Sequence, residues 1–345
     1  MAEHEAVIVG CGGRSDPHIR AYEHLEQAGV VACCDIQSEK RDEIAGEFGI
    51  RAYADAAEMI NQEAPDIVHI VTTPNVRVEV MRLVSEMKVP LCIVEKPIAT
   101  GVGDWKALCE LEKTSGTKFA VCHQFRWQPH LVKCREALAS GRLGDLEFLD
   151  FSAGMNVSGQ GTHILNYGMS FNGDSPVVRV FGAASGVSET DPAHPAPDTT
   201  VGYLTFENEV RALWNNGPTA PTCGDPDIFW QHVRIAAYAD KGRVNYEEFG
   251  QWEIVSPVGV ERGHFGGMDT WVENNLLAQA GLYQAMFDWL DDDQKMPGTH
   301  LSQSLHEWKV VLALYASALY RTPIKMSEFA PPEDLFEQLK VALRR

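Results

Sequence analysis

Residues 7–16 read VIVGCGGRSD: an apolar run, glycines at 10, 12 and 13, then Arg14, Ser15 and Asp16. A strand that ends in Gly-x-Gly and turns straight into a helix needs glycine for the tight turn, and the same turn lets a ligand's phosphates approach the backbone. Ser15 stands where the third glycine of a dinucleotide fingerprint would be, and Pro17, with no N–H to donate, suits the first turn of the following helix. Asp35 ends the next apolar run, VVACCD, at about the 20-residue distance expected of a ribose-binding acid. The pattern predicts a dinucleotide site in which Gly10 makes the turn and the N–H groups of Gly12, Gly13 and Arg14 hold a pyrophosphate. Asp35 would accept from the adenosine ribose hydroxyls, with Ile36 beside it. The Asp35 carboxylate repels a 2′-phosphate, and neither Ile36 nor Gln37 supplies an arginine to hold one. NAD is the expected cofactor, not NADP.

Outward from this turn, the first 124 residues alternate short apolar runs with helical periodicity, as in a parallel sheet covered by helices on both faces. The expected strands are AVIVG (6–10), VVACCD (30–35), DIVHIVT (66–72), PLCIVE (90–95) and KFAVCHQ (118–124). Helices are expected at 16–29, 38–49, 76–87 and 104–116, with Ser38 and Asp104 as caps and Gly29, Gly49 and Gly116 closing helix ends. From about residue 145 the chain changes to longer alternating segments without intervening helices, which predicts a large, open, mostly antiparallel sheet. Two amphipathic helices follow, at 274–292 and 301–320. The fold class is therefore α/β, with a doubly wound parallel sheet in domain 1–124 and an α+β domain over 125–345.

Composition excludes several classes. With 345 residues and 45% hydrophobic content the chain is long enough for two cores. A formal charge of −19 opposes nucleic acid and anionic membrane surfaces, both of which are bound by Lys and Arg neutralising phosphate. No 18-residue apolar stretch or basic leader is evident, so a cytoplasmic protein is expected. The cysteines at 11, 33, 34, 92, 109, 122, 134 and 223 show no metal-ligand spacing and read as reduced core residues; no metal is expected.

Two further turns fall at carboxyl ends of the expected parallel strands, where open α/β sheets bind ligands. Thr73, Pro74 and Asn75 follow one strand, and Glu95-Lys96-Pro97 follows the next. A capped turn and a surface lysine are the bland alternatives, weakened by coincidence with the glycine turn and Asp35. Gln124, Arg126 and Trp127 then lie where the first domain hands over to the second.

The segments VGCGGRSDPHIRAY, TTPN, EKPIAT, HQFRWQP, SGRLGDLEF and GTHILNYG, in this order, resemble the Gfo/Idh/MocA family of oxidoreductases. The resemblance implies a Rossmann domain and a large-sheet domain that forms a homo-oligomer, dimer or tetramer. It implies NAD contacts from Gly10, Gly12, Gly13, Arg14, Asp35, Ile36, Thr73, Pro74, Asn75, Glu95, Lys96 and Gln124. It also implies catalytic roles for Lys96 and His163, and substrate contacts from Lys96, Arg126, Trp127, His163 and Asn166. Substrates are expected to be sugars, inositols or related polyols. The family's Asp-x-Gly-x-His-x-x-Asp pattern, aligned on Gly161 and His163, leaves Gly159 and Asn166 at the two acids.

Oxidising a secondary alcohol requires the hydroxyl proton to leave as hydride departs, so a group of near-neutral pKa must be in reach. Imidazole starts at about 6.5 and lysine at about 10.4, which makes His163 the expected base and Lys96 a hydrogen-bond donor to the developing alkoxide. An NAD-dependent dehydrogenase acting on CH–OH groups is the leading expectation. A redox-neutral glycosidase or lyase that oxidises, eliminates and reduces again uses the same groups, and a non-catalytic NAD-binding regulator would tolerate the missing acids.

Overall fold

A computed structural model describes residues 4–187, 194–221, 232–264 and 266–344; Cys223 and Trp230 lie outside them. The chain divides into two compact units, the first comprising Met1–Ile98, Lys106–Trp127 and Glu273–Leu305, the second Ala99–Trp105, Gln128–Val272 and His306–Arg345.

The first unit carries β1 (His4–Val9), α1 (Ser15–Arg20), β2 (Ala28–Cys34), α2 (Ser38–Phe48), β3 (Arg51–Tyr53), α3 (Ala56–Glu63), β4 (Ile67–Ile70), α4 (Arg77–Glu86), β5 (Leu91–Val94), most of α5 (Val102–Thr114) and β6 (Lys118–Val121). Its six strands run in the order β3-β2-β1-β4-β5-β6 and every pair is parallel. All carboxyl ends therefore share one edge, and the direction of winding reverses between β1 and β4, the switch point at which such sheets bind ligands. β4 and β5 are buried along their whole length, which accounts for their unbroken apolar runs. Tyr283, Met286 and Phe287, from the helix Met268–Asp291, close the core over Ala6, Ile67, Leu91 and Ile93.

The expected helix at 16–29 is shorter: α1 ends at Arg20, tightens into a 3₁₀ turn over Ala21–His24, and gives way at an extended Leu25. Tyr22 is drawn into the core there, so Gly29 lies in β2 and closes no helix. Ser38 is the first residue of α2 and the cap position is Gln37, with no side-chain cap. Gly49 does close that helix, in the left-handed conformation at φ 67°.

The second unit carries α6 (Pro129–Ala139), β7 (Leu146–Ala153), α7 (Thr162–Phe171), β8 (Val177–Ser185), β9 (Thr199–Phe206), β10 (Arg211–Asn216), β11 (Val233–Ala239), β12 (Gly242–Glu247), β13 (Gln251–Ser256), β14 (Gly259–His264) and β15 (Ile324–Lys325). The nine described strands form one sheet in the order β14-β13-β12-β11-β7-β10-β9-β8-β15. Only the β7–β10 pair is parallel. Alternate residues of β9 and β10 are buried, so one sheet face is covered and the other is open. The long helices expected near the C-terminus are α8 (Met268–Asp291) and α9 (Leu301–Tyr320).

One expectation for this region fails. A helix, α7, interrupts the run of strands between β7 and β8, and it carries His163. All ten of its residues are buried, Thr162, His163, Asn166 and Ser170 included, so the polar row these four form at helical spacing faces protein and not water. Gly168 brings α7 onto β7: a Cβ there would lie 2.7 Å from the Phe151 ring, which is itself fully buried. Gly168→Ala is therefore expected to destabilise the fold by about 1–3 kcal/mol through overpacking, measured as a lowered urea midpoint at unchanged slope.

Candidate active site

The glycine turn has a steric reason at its first residue. Gly10 has φ 101°, and a Cβ on it would stand 2.9 Å from the backbone of Val71 on the neighbouring strand. At Gly12 and Gly13, by contrast, a Cβ would meet nothing within 4 Å, so the backbone there borders open space. Asp35 is held from both sides: Oδ2 accepts from the Cys11 N–H at 2.9 Å and Oδ1 from the Gln37 N–H at 2.8 Å. Each carboxylate oxygen keeps a lone pair for a ribose hydroxyl, and Ile36 beside it is 87% exposed. An open glycine shelf next to a fixed, half-buried acid fits a dinucleotide.

Thr73, Pro74 and Asn75 form a 3₁₀ turn at the same edge, with the Thr73 hydroxyl donating to Asn75 Oδ1 at 2.6 Å. Arg77, which the sequence reading passed over, joins this turn to the Glu-Lys-Pro loop. Its buried guanidinium donates to the Thr72 carbonyl at 2.8 and 3.1 Å and to the Pro97 carbonyl at 2.5 Å. Burial lowers its pKa to about 10.

Glu95 is the centre of this edge. It is 5% exposed, and its Oε1 accepts from Arg14 Nε at 3.1 Å and lies 3.2 Å from His18 Nε2. Burial pushes the carboxyl up, but Arg14, His18 and Lys96 together hold it well below the usual range. An ionised carboxylate only accepts, which fixes every proton behind it. His18 is neutral because burial depresses it, so Nε2 carries its proton toward Glu95 and Nδ1 is bare. The one lone pair of that nitrogen accepts from His69 Nδ1 at 3.3 Å, and the Tyr283 hydroxyl, 2.9 Å from the same nitrogen, donates to the His18 carbonyl at 3.2 Å. His69, also depressed by burial, is left to accept at Nε2 from the Tyr22 hydroxyl at 2.7 Å. Gln279 completes the cluster by donating to Tyr283 Oη at 2.9 Å and to Cys122 Sγ at 3.2 Å. Donor atoms of His18, Glu95 and Cys122 lie within 4.8 Å of one another, but Arg14 and His18 already occupy the Glu95 oxygen a cation would need.

Lys96 follows at the end of β5. Its pKa is lowered, mainly by burial and further by Arg14 and Arg77, while Glu95 acts to raise it. Gln124 and Arg126 are buried in a 3₁₀ turn, where Gln124 Nε2 donates to Asn275 Oδ1 at 3.3 Å. Trp127 packs against Gly281 of α8, so closely that a Cβ on the glycine would lie 2.8 Å from the Trp127 Cβ. A histidine in the middle of the buried strand DIVHIVT was the available sequence signal for the missed cluster, since a buried polar group demands partners.

In the second unit a π-helical turn, Val157–Gly161, leads into α7, and Asn156 Oδ1 accepts the Gly159 N–H at 2.7 Å. A Cβ on Gly159 would stand 3.1–3.2 Å from Met155 and Asn156, which leaves little room for an acid there. His163 is buried, with Nδ1 2.9 Å from the Tyr167 hydroxyl, and Asn166 donates to Glu307 Oε1 at 2.7 Å. Buried Glu248, another residue the sequence reading missed, has its pKa raised by burial to about 7 and accepts from Tyr246 and, at 2.8 Å, from Trp271. His232 is buried as well.

Residues 4–123 match the Gfo/Idh/MocA model, described as an oxidoreductase family with an NAD-binding Rossmann fold. Residues 4–123 are thus an NAD-binding Rossmann domain of the kind this family model describes. The chain is 30% identical over 227 residues to a D-apiose dehydrogenase of Paraburkholderia graminis, covering 61% of this chain and 59% of that protein. It is also 25% identical over 139 residues to the rhizopine catabolism protein MocA of Rhizobium meliloti, covering 40% and 43%. The matches thus span about half the length of these curated relatives. An oxidoreductase from Agrobacterium radiobacter, crystallised with NAD⁺, L-tartaric acid and magnesium, has the same fold, with a TM-score of 0.81 at 20% identity over 94% of this chain and 99% of that one.

Glu95→Gln removes the buried partner of Arg14, whose side chain is 46% exposed, and is expected to cost about 1–3 kcal/mol at neutral pH once solvent screening of the arginine is allowed for. Because the folded pKa of Glu95 lies below 4.5, its contribution is present above that pH and lost as pH falls through the folded value. Urea titrations of both proteins should show the gap narrowing in acid; a gap independent of pH contradicts the assignment.

Proposed function

We propose that the chain is an NAD-dependent oxidoreductase that acts at a ring hydroxyl of a sugar, inositol or related polyol. The observation that carries the reading is Lys96, a lysine at the carboxyl end of β5 with a lowered pKa, on the sheet edge that also holds the open glycine turn and Asp35. The name of the relative from Paraburkholderia graminis supports a sugar as substrate. In this reading residues 1–124 hold the cofactor, and residues 125–345 hold substrate and form a cytoplasmic homo-oligomer, dimer or tetramer. An apolar row supports the oligomer: Phe181, Tyr203 and Leu213 face one another across β8, β9 and β10 and are 49%, 39% and 36% exposed.

The residue roles are those that the family resemblance implies. Gly10, Gly12, Gly13 and Arg14 border the pyrophosphate, Asp35 and Ile36 the adenosine ribose, and Thr73, Pro74, Asn75, Glu95 and Gln124 the remainder of the nucleotide. When bound, NAD⁺ supplies a two-electron acceptor for the hydride of the carbinol carbon. His163 takes the hydroxyl proton, and Lys96 donates a hydrogen bond that stabilises the oxygen as negative charge develops on it. Glu95 opposes the burial that lowers the Lys96 pKa. Arg126, with Asn166 and Trp127, is assigned to substrate.

Two measurements test this. NAD(H) should bind much more tightly than NADP(H), and Asp35→Ser should narrow the difference; equal affinities in the unmodified protein contradict the role of Asp35. Over a panel of aldoses, D-apiose included, and inositols, NADH should accumulate with product. Lys96→Met should retain NAD affinity and lose about 10²- to 10³-fold in kcat. Near-normal turnover by Lys96→Met overturns the catalytic reading. Tight NAD binding without turnover favours the regulator, and turnover without net NADH favours the redox-neutral chemistry.

A further inference from the structure

α7 holds a group of side chains that the loss of the two acids would otherwise leave unexplained. His163 and Tyr167 are one helical turn apart, their rings are 5.7 Å apart and inclined by 23°, and the Tyr167 hydroxyl is 2.9 Å from His163 Nδ1. Tyr167 is fully buried and His163 is 8% exposed. Asn166, at one of the missing acids, is pinned by its amide to buried Glu307 of α9. The other acid position, Gly159, has little room for a side chain.

We infer that Tyr167 is a positioning residue for His163, its hydroxyl oxygen accepting the Nδ1 proton so that the lone pair is held at Nε2. This rests on the reading of His163 as the base. A histidine that works through Nε2 carries a proton on Nδ1 both before and after it takes a second proton. A hydroxyl can therefore accept from Nδ1 throughout the cycle, as a carboxylate does in a catalytic triad. The hydroxyl differs in bringing no charge. It sets the tautomer and ring orientation, and it stabilises the imidazolium less than a carboxylate would. Glu307 accepts from the Asn166 amide and so fixes that carboxamide beside the histidine's helix turn.

The test is ¹⁵N–¹H long-range correlation NMR on histidine-labelled protein, with the His163 signals assigned by their loss in His163→Gln. Wild-type His163 should be the Nδ1–H tautomer, and Tyr167→Phe, which keeps the ring, should shift it toward Nε2–H. An Nε2–H tautomer in the wild type, or an unchanged Nδ1–H tautomer in a folded Tyr167→Phe, overturns the inference; the wild-type spectrum decides even where the variant does not fold. In turnover, Tyr167→Phe should lower kcat by about 3- to 10-fold, the worth of one such hydrogen bond, with KM and NAD affinity unchanged. An inactive wild type with the Nδ1–H tautomer would count against the dehydrogenase reading and leave the Tyr167 contact standing.

Discussion

The ionised state of Glu95 is the constraint on which the cofactor edge of the first unit depends. A buried carboxylate is costly unless charge and hydrogen bonds compensate it, and here Arg14 comes from the glycine turn, His18 from α1, and Lys96 from its own loop. Its acceptor-only character orders the protons of His18, His69, Tyr22 and Tyr283 behind it. In front of it, the same charge opposes the burial that lowers the Lys96 pKa. One residue thus links the helix after β1, the end of β5 and the helix Met268–Asp291, elements far apart in sequence.

Much of this was legible beforehand because the parallel sheet writes itself in the sequence. Unbroken apolar runs, glycines at 10 and 12 and an acid at 35 gave β1, β2 and the turn between them, and the Glu-Lys-Pro loop fell at the carboxyl end of β5 as expected. The network behind Glu95 was not legible. Its members are single polar residues at positions 18, 22, 69, 122, 279 and 283, and only the fold brings them together. Arg77 was missed for a related reason: an arginine at the start of a helix reads as a solvated charge, whereas here the carbonyls of Thr72 and Pro97 bury it.

α7 shows the opposite limit. Thr162, Asn166 and Ser170 recur at helical spacing, but the helix is only ten residues long and set between strands, and the segment around His163 read as part of a strand-rich domain. The acids absent at Gly159 and Asn166 were visible in the sequence; what stands near them was not, because Tyr167 lies one turn along the same helix and Glu307 comes from α9. A Cβ at Gly159 would press on the Met155 and Asn156 side chains, and Asn166 is held by its amide link to Glu307.

The central claim is that hydride leaves a ring carbinol for the cofactor and does not return. A sugar or inositol substrate deuterated at the reacting carbon tests it, with reduced cofactor and product recovered and weighed by mass spectrometry. The account predicts that one deuterium per turnover resides in NADH and none at the oxidised carbon of the product. Deuterium recovered at the original carbon, with the cofactor unlabelled after many turnovers, would contradict it.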